Sequence, residues 1–429
     1  MGQYFLYLSA YCYVGTDSTL QVSRAPQSTP TARDLHHCSV TTIITPLGYY
    51  PCMSDVSIEN VRKVYDSDPE VVAVDDVSFE IADGEFLTIV GPSGSGKSTL
   101  LRMIAGLEDI SGGTIRIGDR AVNGIQPQDR DVAMVFQNYA LYPHMTARKN
   151  MSYGLQLTTD LPDSEIDDRV KEAAEMMGVE DQLDKRPGNL SGGQQQRIAT
   201  GRAIVREPSV FLFDEPLSNL DAKLRLHMRT ELQQLQDKLG TTTIYVTHDQ
   251  EEAMTMSDRI AVIDQGTLQQ IGTPDEIYHQ PKNLFVADFV GSPPMNTFEV
   301  TLSDSTLVGS GFEYELSEDL LSHVSQYAEG INEFVLGIRP ENIRLADGDE
   351  PNVISAHLDV REPVGSDNYL HMDIDGEECW VRVPGGVTPE TNREHEIVFD
   401  EEHIHLFRHS DGINILAQEK SRLETPAND

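Results

Sequence analysis

Nine consecutive residues, Gly91-Pro92-Ser93-Gly94-Ser95-Gly96-Lys97-Ser98-Thr99, have the types and spacing that hold a nucleoside triphosphate. They satisfy the pattern G-x-x-x-x-G-K-[ST]. Glycines let successive backbone N–H groups turn inward around phosphate. A helix beginning at the end of the run adds partial positive charge. Lys97 then reaches the β- and γ-phosphates, and Ser98 offers its hydroxyl to Mg2+. The competing reading is a chance Gly/Ser-rich loop, and the flanks oppose it. Phe86–Val90 is a short, apolar, β-branched run of the buried parallel-strand kind, and Leu100–Leu107 repeats apolar residues at helical spacing.

Two more apolar runs end in groups that can do chemistry. Val210–Phe213 ends in Asp214-Glu215, and Thr243–Val246 ends in Thr247-His248. By themselves an acid pair closing a strand can be a cap, and a lone histidine is usually structural. The run Leu190-Ser191-Gly192-Gly193-Gln194 changes the weighing. With it the chain resembles the ABC ATPase family, whose signature is LSGGQ. The resemblance implies that Asp214 holds Mg2+, directly or through water, and that Glu215 is the general base or polariser of the attacking water. Gln137, after Met134-Val135-Phe136, matches the Q-loop glutamine, a ligand for Mg2+ or water and a lever to membrane subunits. Ser218-Asn219-Leu220-Asp221 matches the D-loop, and His248 the switch histidine that contacts the γ-phosphate. Tyr65 matches the aromatic that stacks on adenine, although a tyrosine closing a strand can also serve packing alone.

The implied catalytic set is Glu215, His248 and Lys97, with Ser98, Gln137 and Asp214 as metal ligands. The implied ATP contacts are Tyr65, the loop 91–99, Gln137, Ser191, Gly192, Gly193, Gln194 and Asp221. In the family the γ-phosphate is clamped between the phosphate loop of one subunit and the signature of another. One copy of each motif per chain therefore implies a head-to-tail homodimer with two ATP sites.

The elements that must position these residues alternate. Val56–Val90 reads as strands, with a turn at Ala82-Asp83-Gly84-Glu85. Apolar runs at 86–90, 210–213, 243–246 and 260–263 are separated by helical patterns at 164–184, 222–239 and 250–256. Such alternation predicts an α/β domain, a parallel sheet covered by helices. After Gly291-Ser292-Pro293-Pro294 the texture becomes short alternating segments at 298–302, 334–338, 355–360, 369–374 and 378–383, which predicts a mostly β domain. The expected organisation is a leader over 1–52, an ATPase domain over 54–290 with a helical subdomain near 138–190, a β-rich domain over 291–419 and a disordered tail over 420–429.

Composition bounds the partners. The chain carries 70 acidic against 32 basic residues, net −38, and only nine lysines. Such a surface repels nucleic acid and anionic lipid. It suits molar salt, where repulsion is screened within about 3 Å; the plainer reading is simply an acidic soluble protein. Residues 1–52 hold two acids (Asp17, Asp34) and two bases (Arg24, Arg33), so the whole excess lies beyond them. Three of four cysteines sit there as well, and the remaining Cys379 cannot form an internal disulfide, which fits a reducing compartment. The leader lacks a basic n-region and has only a short apolar run, which makes a poor signal peptide; a globular pattern begins directly after Met53, so 1–52 is read as a misassigned extension before a start there, the alternative being a genuine disordered tail. No stretch has 18 consecutive apolar residues.

The resemblance runs over nearly all of 54–415 and is closest to ATPase subunits of carbohydrate importers of the maltose and glycerol-phosphate type. Leu100–Glu108, Asn138–Met145, Phe289–Asn296 and Leu336–Asn342 carry it. The last two imply an OB-like TOBE domain at the C-terminus. The full fold expectation is thus an ABC ATPase domain with parallel core, antiparallel β edge and helical subdomain, followed by that domain. The resemblance also implies ATP and Mg2+ as cofactors, two permease subunits docking near 138–190, a solute-binding protein beyond them, and a place on the cytoplasmic face of the membrane. With the salt-adapted composition, it points to a haloarchaeal importer of pentoses, maltose-like sugars or glycerol phosphate. Two other classes compete. A DNA-repair or chromosome ATPase would place a long coiled coil between phosphate loop and signature, but fewer than a hundred residues separate Lys97 from Ser191. A purely ATP-sensing regulator would not need Glu215 and His248. The charge balance generates a first prediction: ATPase activity rises with KCl toward molar concentration, and full activity and stability at low salt would refute the salt-adapted reading.

Overall fold

The computed structural model describes residues 55–66, 69–328, 330–348 and 350–417; the expectations for the leader and the tail from 420 lie outside them. The first region opens with strands β1 (Val56–Tyr65), β2 (Val71–Ile81) and β3 (Phe86–Val90), then helix α1 (Lys97–Ala105). It continues through β4 (Gly112–Ile117), β5 (Arg120–Ala121), β6 (Val132–Val135), α2 (Ala147–Thr158), α3 (Asp163–Met176) and α4 (Gly192–Ile204). There follow β7 (Val210–Asp214), α5 (Ala222–Leu239), β8 (Thr242–Val246), α6 (Gln250–Met256), β9 (Arg259–Asp264), β10 (Thr267–Gly272), α7 (Pro274–His279) and α8 (Leu284–Phe289).

Six strands form one sheet in the order β10-β9-β3-β8-β7-β6. All of its neighbours pair in parallel except β9 with β10. Every residue of β3, β7 and β8 is buried. A strand covered on both faces needs no polar alternation, which is why these segments read as continuous apolar runs. The antiparallel sheet β2-β1-β4-β5 shares a core with them, in which Ile58, Val77 and Ile115 meet Leu87, Ile89 and Leu212.

The helical expectation over 164–184 is corrected: α3 ends at Met176. Gly178 follows at φ 60, the left-handed conformation that closes a helix, and the chain then makes only a three-residue turn at Glu180–Gln182. Helices α2, α3 and α4 pack together through Met151, Val170, Ala174 and Ile198.

The last region contains β11 (Asn296–Ser303), β12 (Thr306–Gly309), β13 (Phe312–Glu315), helix α9 (Glu318–Tyr327), β14 (Glu333–Ile338) and β15 (Ile343–Leu345). It closes with β16 (Ile354–Val364), β17 (Asp367–Ile374), β18 (Glu377–Pro384), β19 (Arg393–Phe399) and β20 (His405–Arg408). Two five-stranded antiparallel sheets, β13-β12-β11-β14-β20 and β15-β19-β16-β17-β18, share one core, where Phe298 stacks on Phe399 at 5.7 Å. Strands β12, β13, β15, β19 and β20 and helix α9 were not expected; four of the strands have only three or four residues, too few for a period to emerge.

Arg339, at the end of β14, ties this region to the first. Its buried guanidinium lies over the Tyr278 ring at 4.2 Å and donates to the carbonyls of Tyr278, Ala287 and Val290. Beside it, burial together with the charges of Arg339, His403 and His279 pushes His405 down from 6.5 to about 4. Its neutral Nδ1 accepts from the Asn414 amide. Between pH 6.5 and about 4 the unfolded chain binds a proton at this site that the folded chain does not, so this contribution to stability is present above the window and lost as pH falls through it. Replacing His405 by Gln is expected to flatten the fall of the unfolding midpoint with pH in that window; identical slopes for both proteins would refute the assignment.

Candidate nucleotide site

Four adjacent parallel strands, β3, β8, β7 and β6, deliver the candidate residues from their C-terminal ends, where open α/β sheets bind ligands. β3 runs into the loop 91–96, β6 into Gln137, β7 into Glu215 and β8 into His248. The loop is held by close backbone approach. Gly96 stands at φ 99, and a Cβ there would lie 2.2 Å from the Ala73 carbonyl oxygen. Gly91 stands at φ 154, and a Cβ there would lie 1.9 Å from the Ile263 oxygen. No side chain fits at either position.

Lys97 is buried, and its ammonium donates to the carbonyls of Gly91 at 2.8 Å and Pro92 at 2.7 Å. Burial lowers its pKa, and the carboxylates of Glu215 and Asp214 oppose that shift. The Ser98 hydroxyl donates to Asp214 Oδ1 at 2.8 Å, and Arg102 lies 3.9 Å from the other Asp214 oxygen. Glu215 adopts φ 44, a left-handed conformation a non-glycine residue visits only when its surroundings impose it. Its N–H donates to the Val246 carbonyl at 2.9 Å, and its carbonyl accepts from the Ser218 hydroxyl. Glu215 Oε2 lies 3.3 Å from Gln137 Nε2 and 3.1 Å from His248 Nδ1.

The structure thus brings together Lys97, Ser98, Asp214, Glu215, Gln137 and His248. Tyr65 ends β1 opposite Val71, two residues before the Ala73 that backs Gly96. The Lys63 ammonium lies 4.8 Å over its ring. The run 191–194 is placed elsewhere. Ser191 caps α4 in a reciprocal pair with Gln194, Asp221 caps α5, and the side-chain hydrogen bonds of all three stay within those turns. Gly192 and Gly193 face Leu220 and Leu224.

Sequence reasoning missed two contributors, Arg102 and Arg202, and one contact of the motif residue Asn219. Arg102 lies one turn along α1 from Ser98, which helical spacing alone could have shown. Asn219 donates to the Gln137 carbonyl at 2.8 Å. Arg202 on α4 donates to the carbonyls of Tyr139 and Ala140, just beyond Gln137 and Asn138. No sequence pattern announces the last two bonds, because each joins segments more than sixty residues apart.

Residues 74–218 match the family described as ABC transporter, 291–343 the MalK OB fold domain and 336–407 the TOBE domain. The chain is 52% identical to the xylose/arabinose import ATP-binding protein XacK of Haloferax volcanii, over 83% of this chain and 94% of that protein. The chain belongs to the ABC transporter ATP-binding subunits. Another relative in the same organism, the xylose/arabinose import ATP-binding protein XacJ, is 55% identical over 71% of this chain and 80% of its own length. The sn-glycerol-3-phosphate import ATP-binding protein UgpC 3 of Agrobacterium fabrum is 49% identical over 83% and 98%. Like its family, this ABC subunit binds and hydrolyses ATP, and its C-terminal region is of the MalK type. Among the described residues no helix is long and apolar enough to cross a membrane.

Replacing Gly96 by Ala is expected to weaken ATP binding by about tenfold or more, because the added Cβ must displace Ala73 or reshape the loop. Titration with a fluorescent ATP analogue checks this, and unchanged affinity would show that the loop tolerates the side chain.

Proposed function

We propose that this subunit hydrolyses ATP to drive uptake of a sugar or sugar-like solute, with Glu215 as the general base. The observation that carries the catalytic part is the Glu215 carboxylate, held between Gln137 and His248 at the end of β7. A carboxylate so placed orients a water and accepts its proton as the γ-phosphoryl departs. Nδ1 of the half-exposed His248 faces Glu215, and Nε2 on the other edge of the ring donates to a γ-phosphate oxygen when both ring nitrogens carry protons. Lys97 has its ammonium at the loop, where exchange of carbonyl for phosphate partners neutralises developing charge. Ser98 and Asp214 offer hard oxygen donors 2.8 Å apart, a set that suits Mg2+, and the family resemblance adds Gln137, whose amide lies against Glu215. Bound there, the ion screens the phosphate charges. Tyr65 supplies a face for adenine.

One phosphate loop and one signature per chain, with Ser191, Gln194 and Asp221 hydrogen-bonded only within their own turns, fit a homodimer in which each signature serves the other chain's ATP. Two permeases, a solute-binding protein and the cytoplasmic membrane face complete the reading, with residues 138–190 as the docking region. Similarity to the xylose/arabinose and glycerol-3-phosphate import proteins favours small polyhydroxylated solutes.

Replacing Glu215 by Gln should lower turnover by about a hundredfold or more while ATP stays bound. Phosphate release and nucleotide retention on one sample test it, and wild-type turnover in that variant would refute the role.

A further inference from the structure

A second polar cluster lies behind His248. Glu252, on the first turn of α6, is buried, and its Oε2 accepts two hydroxyl protons, from Tyr245 and from Thr247, each at 2.7 Å. Thr247 precedes His248 in the chain, and its hydroxyl oxygen also accepts the Asp249 N–H at 3.0 Å. The residue before His248 and the amide after it are therefore pinned to one carboxylate. Asp249 caps α6 with one oxygen, receiving the Glu251 and Glu252 amides, and takes Arg225 Nη1 at 3.2 Å with the other. Arg225 stands on the first turn of α5, and its Nη2 donates to the Leu220 carbonyl, next to the Asp221 cap. Its Nε is buried without a hydrogen-bond partner and points across 4.0 Å to Glu252 Oε1. One guanidinium thus joins segment 218–221 to the loop carrying His248, and one of its donors is unspent toward the carboxylate that holds that loop.

We infer that Glu252 and Arg225 are positioning residues that set His248 against Glu215 and tie that setting to segment 218–221. The inference rests on the reading of His248 given above. Neither residue touches the reacting atoms; Glu252 acts through Thr247, and Arg225 through Asp249 and Leu220. The carboxylate matters for its charge as well as its shape. A buried acceptor of two hydroxyl protons beside an arginine is strongest as an anion, and a neutral amide of the same shape loses the attraction to Arg225. Misplacing a group that orients the attacking water by a fraction of an ångström costs turnover and leaves ground-state ATP binding, which the loop 91–99 supplies, in place.

The test compares six variants of the full chain over a range of Mg-ATP concentrations at fixed high KCl: E252Q, T247V, T247S, H248A and the doubles E252Q/T247V and E252Q/H248A. E252Q exchanges one carboxylate oxygen for an amide nitrogen of nearly the same size, and T247V one hydroxyl for a methyl, so the two variants change the network at nearly constant shape. E252Q and T247V are expected to lower kcat by about tenfold or more with KM for ATP changed less than about twofold, and T247S to restore near wild-type kcat. The E252Q/T247V double variant should lose little more than either alone, because both break one network. E252Q should not lower further the residual rate of H248A. Wild-type kcat in E252Q and T247V, a matching rise in KM, or an equal loss from E252Q with and without His248 would overturn the positioning role. Wild-type turnover in H248A would overturn the reading of His248 itself.

Discussion

The N–H of Glu215 donates to the carbonyl of Val246, and most of the catalytic geometry depends on that bond. It joins the ends of β7 and β8 just past their last ladder pair, Asp214 opposite Val246. It holds Glu215 at a positive φ that the residue would not adopt alone. With the backbone so turned, the carboxylate reaches Gln137 on one side and His248 on the other. Asp214, one residue earlier, points instead to Ser98. Two neighbouring acids thus serve different partners because the backbone rotates between them.

The same principle governs the sheet as a whole. Parallel strands present all their C-terminal ends on one edge, so the loops after β3, β6, β7 and β8 meet without any of them being long. The price is that the central strands β3, β7 and β8 are buried along their whole length and are largely apolar, which leaves the charged groups of the site to strand ends. The charged groups that enter the interior find hydrogen-bond partners: Glu252 with Tyr245 and Thr247, Lys63 with the Asp109 carbonyl, and Arg130 with the carbonyls of Met103 and Ile104. An unpaired charge at any of these sites would cost several kcal/mol.

Outside the core the charge balance reverses. Interior and junction positions use arginine, as in Arg130 and Arg339, whose planar fork serves several carbonyls at once. Acidic side chains crowd the surface instead, and a net charge of −38 brings a self-repulsion that salt screens. Arg339 has a further consequence. By gripping the carbonyls of α7 and α8 it makes the β-rich region continuous with the ATPase region. The resemblance of Leu336–Asn342 to its relatives therefore reflects a junction as much as a β-strand.

The sequence by itself determined the local features: which nine residues have the spacing of a phosphate loop, which runs are buried strands, where helices α5 and α6 begin and end, and how acidic the surface is. These are legible because each depends on contiguous residues. A phosphate loop needs successive amides, and a buried strand needs successive apolar side chains. Gly178 could have placed the end of α3 in the same way, since its left-handed backbone is a local property. Only the tertiary structure decided strand order, the turn at Glu215, the bonds from Arg202 and Asn219 to the segment around Gln137, and the linkage of Arg225 to Glu252. Those contacts join residues tens of positions apart, whose pairing is set by how helices and strands pack and not by any spacing along the chain. That is why Lys97, Gln137, Glu215 and His248 could be named from motifs, while their distances, and the residues that hold them there, could not.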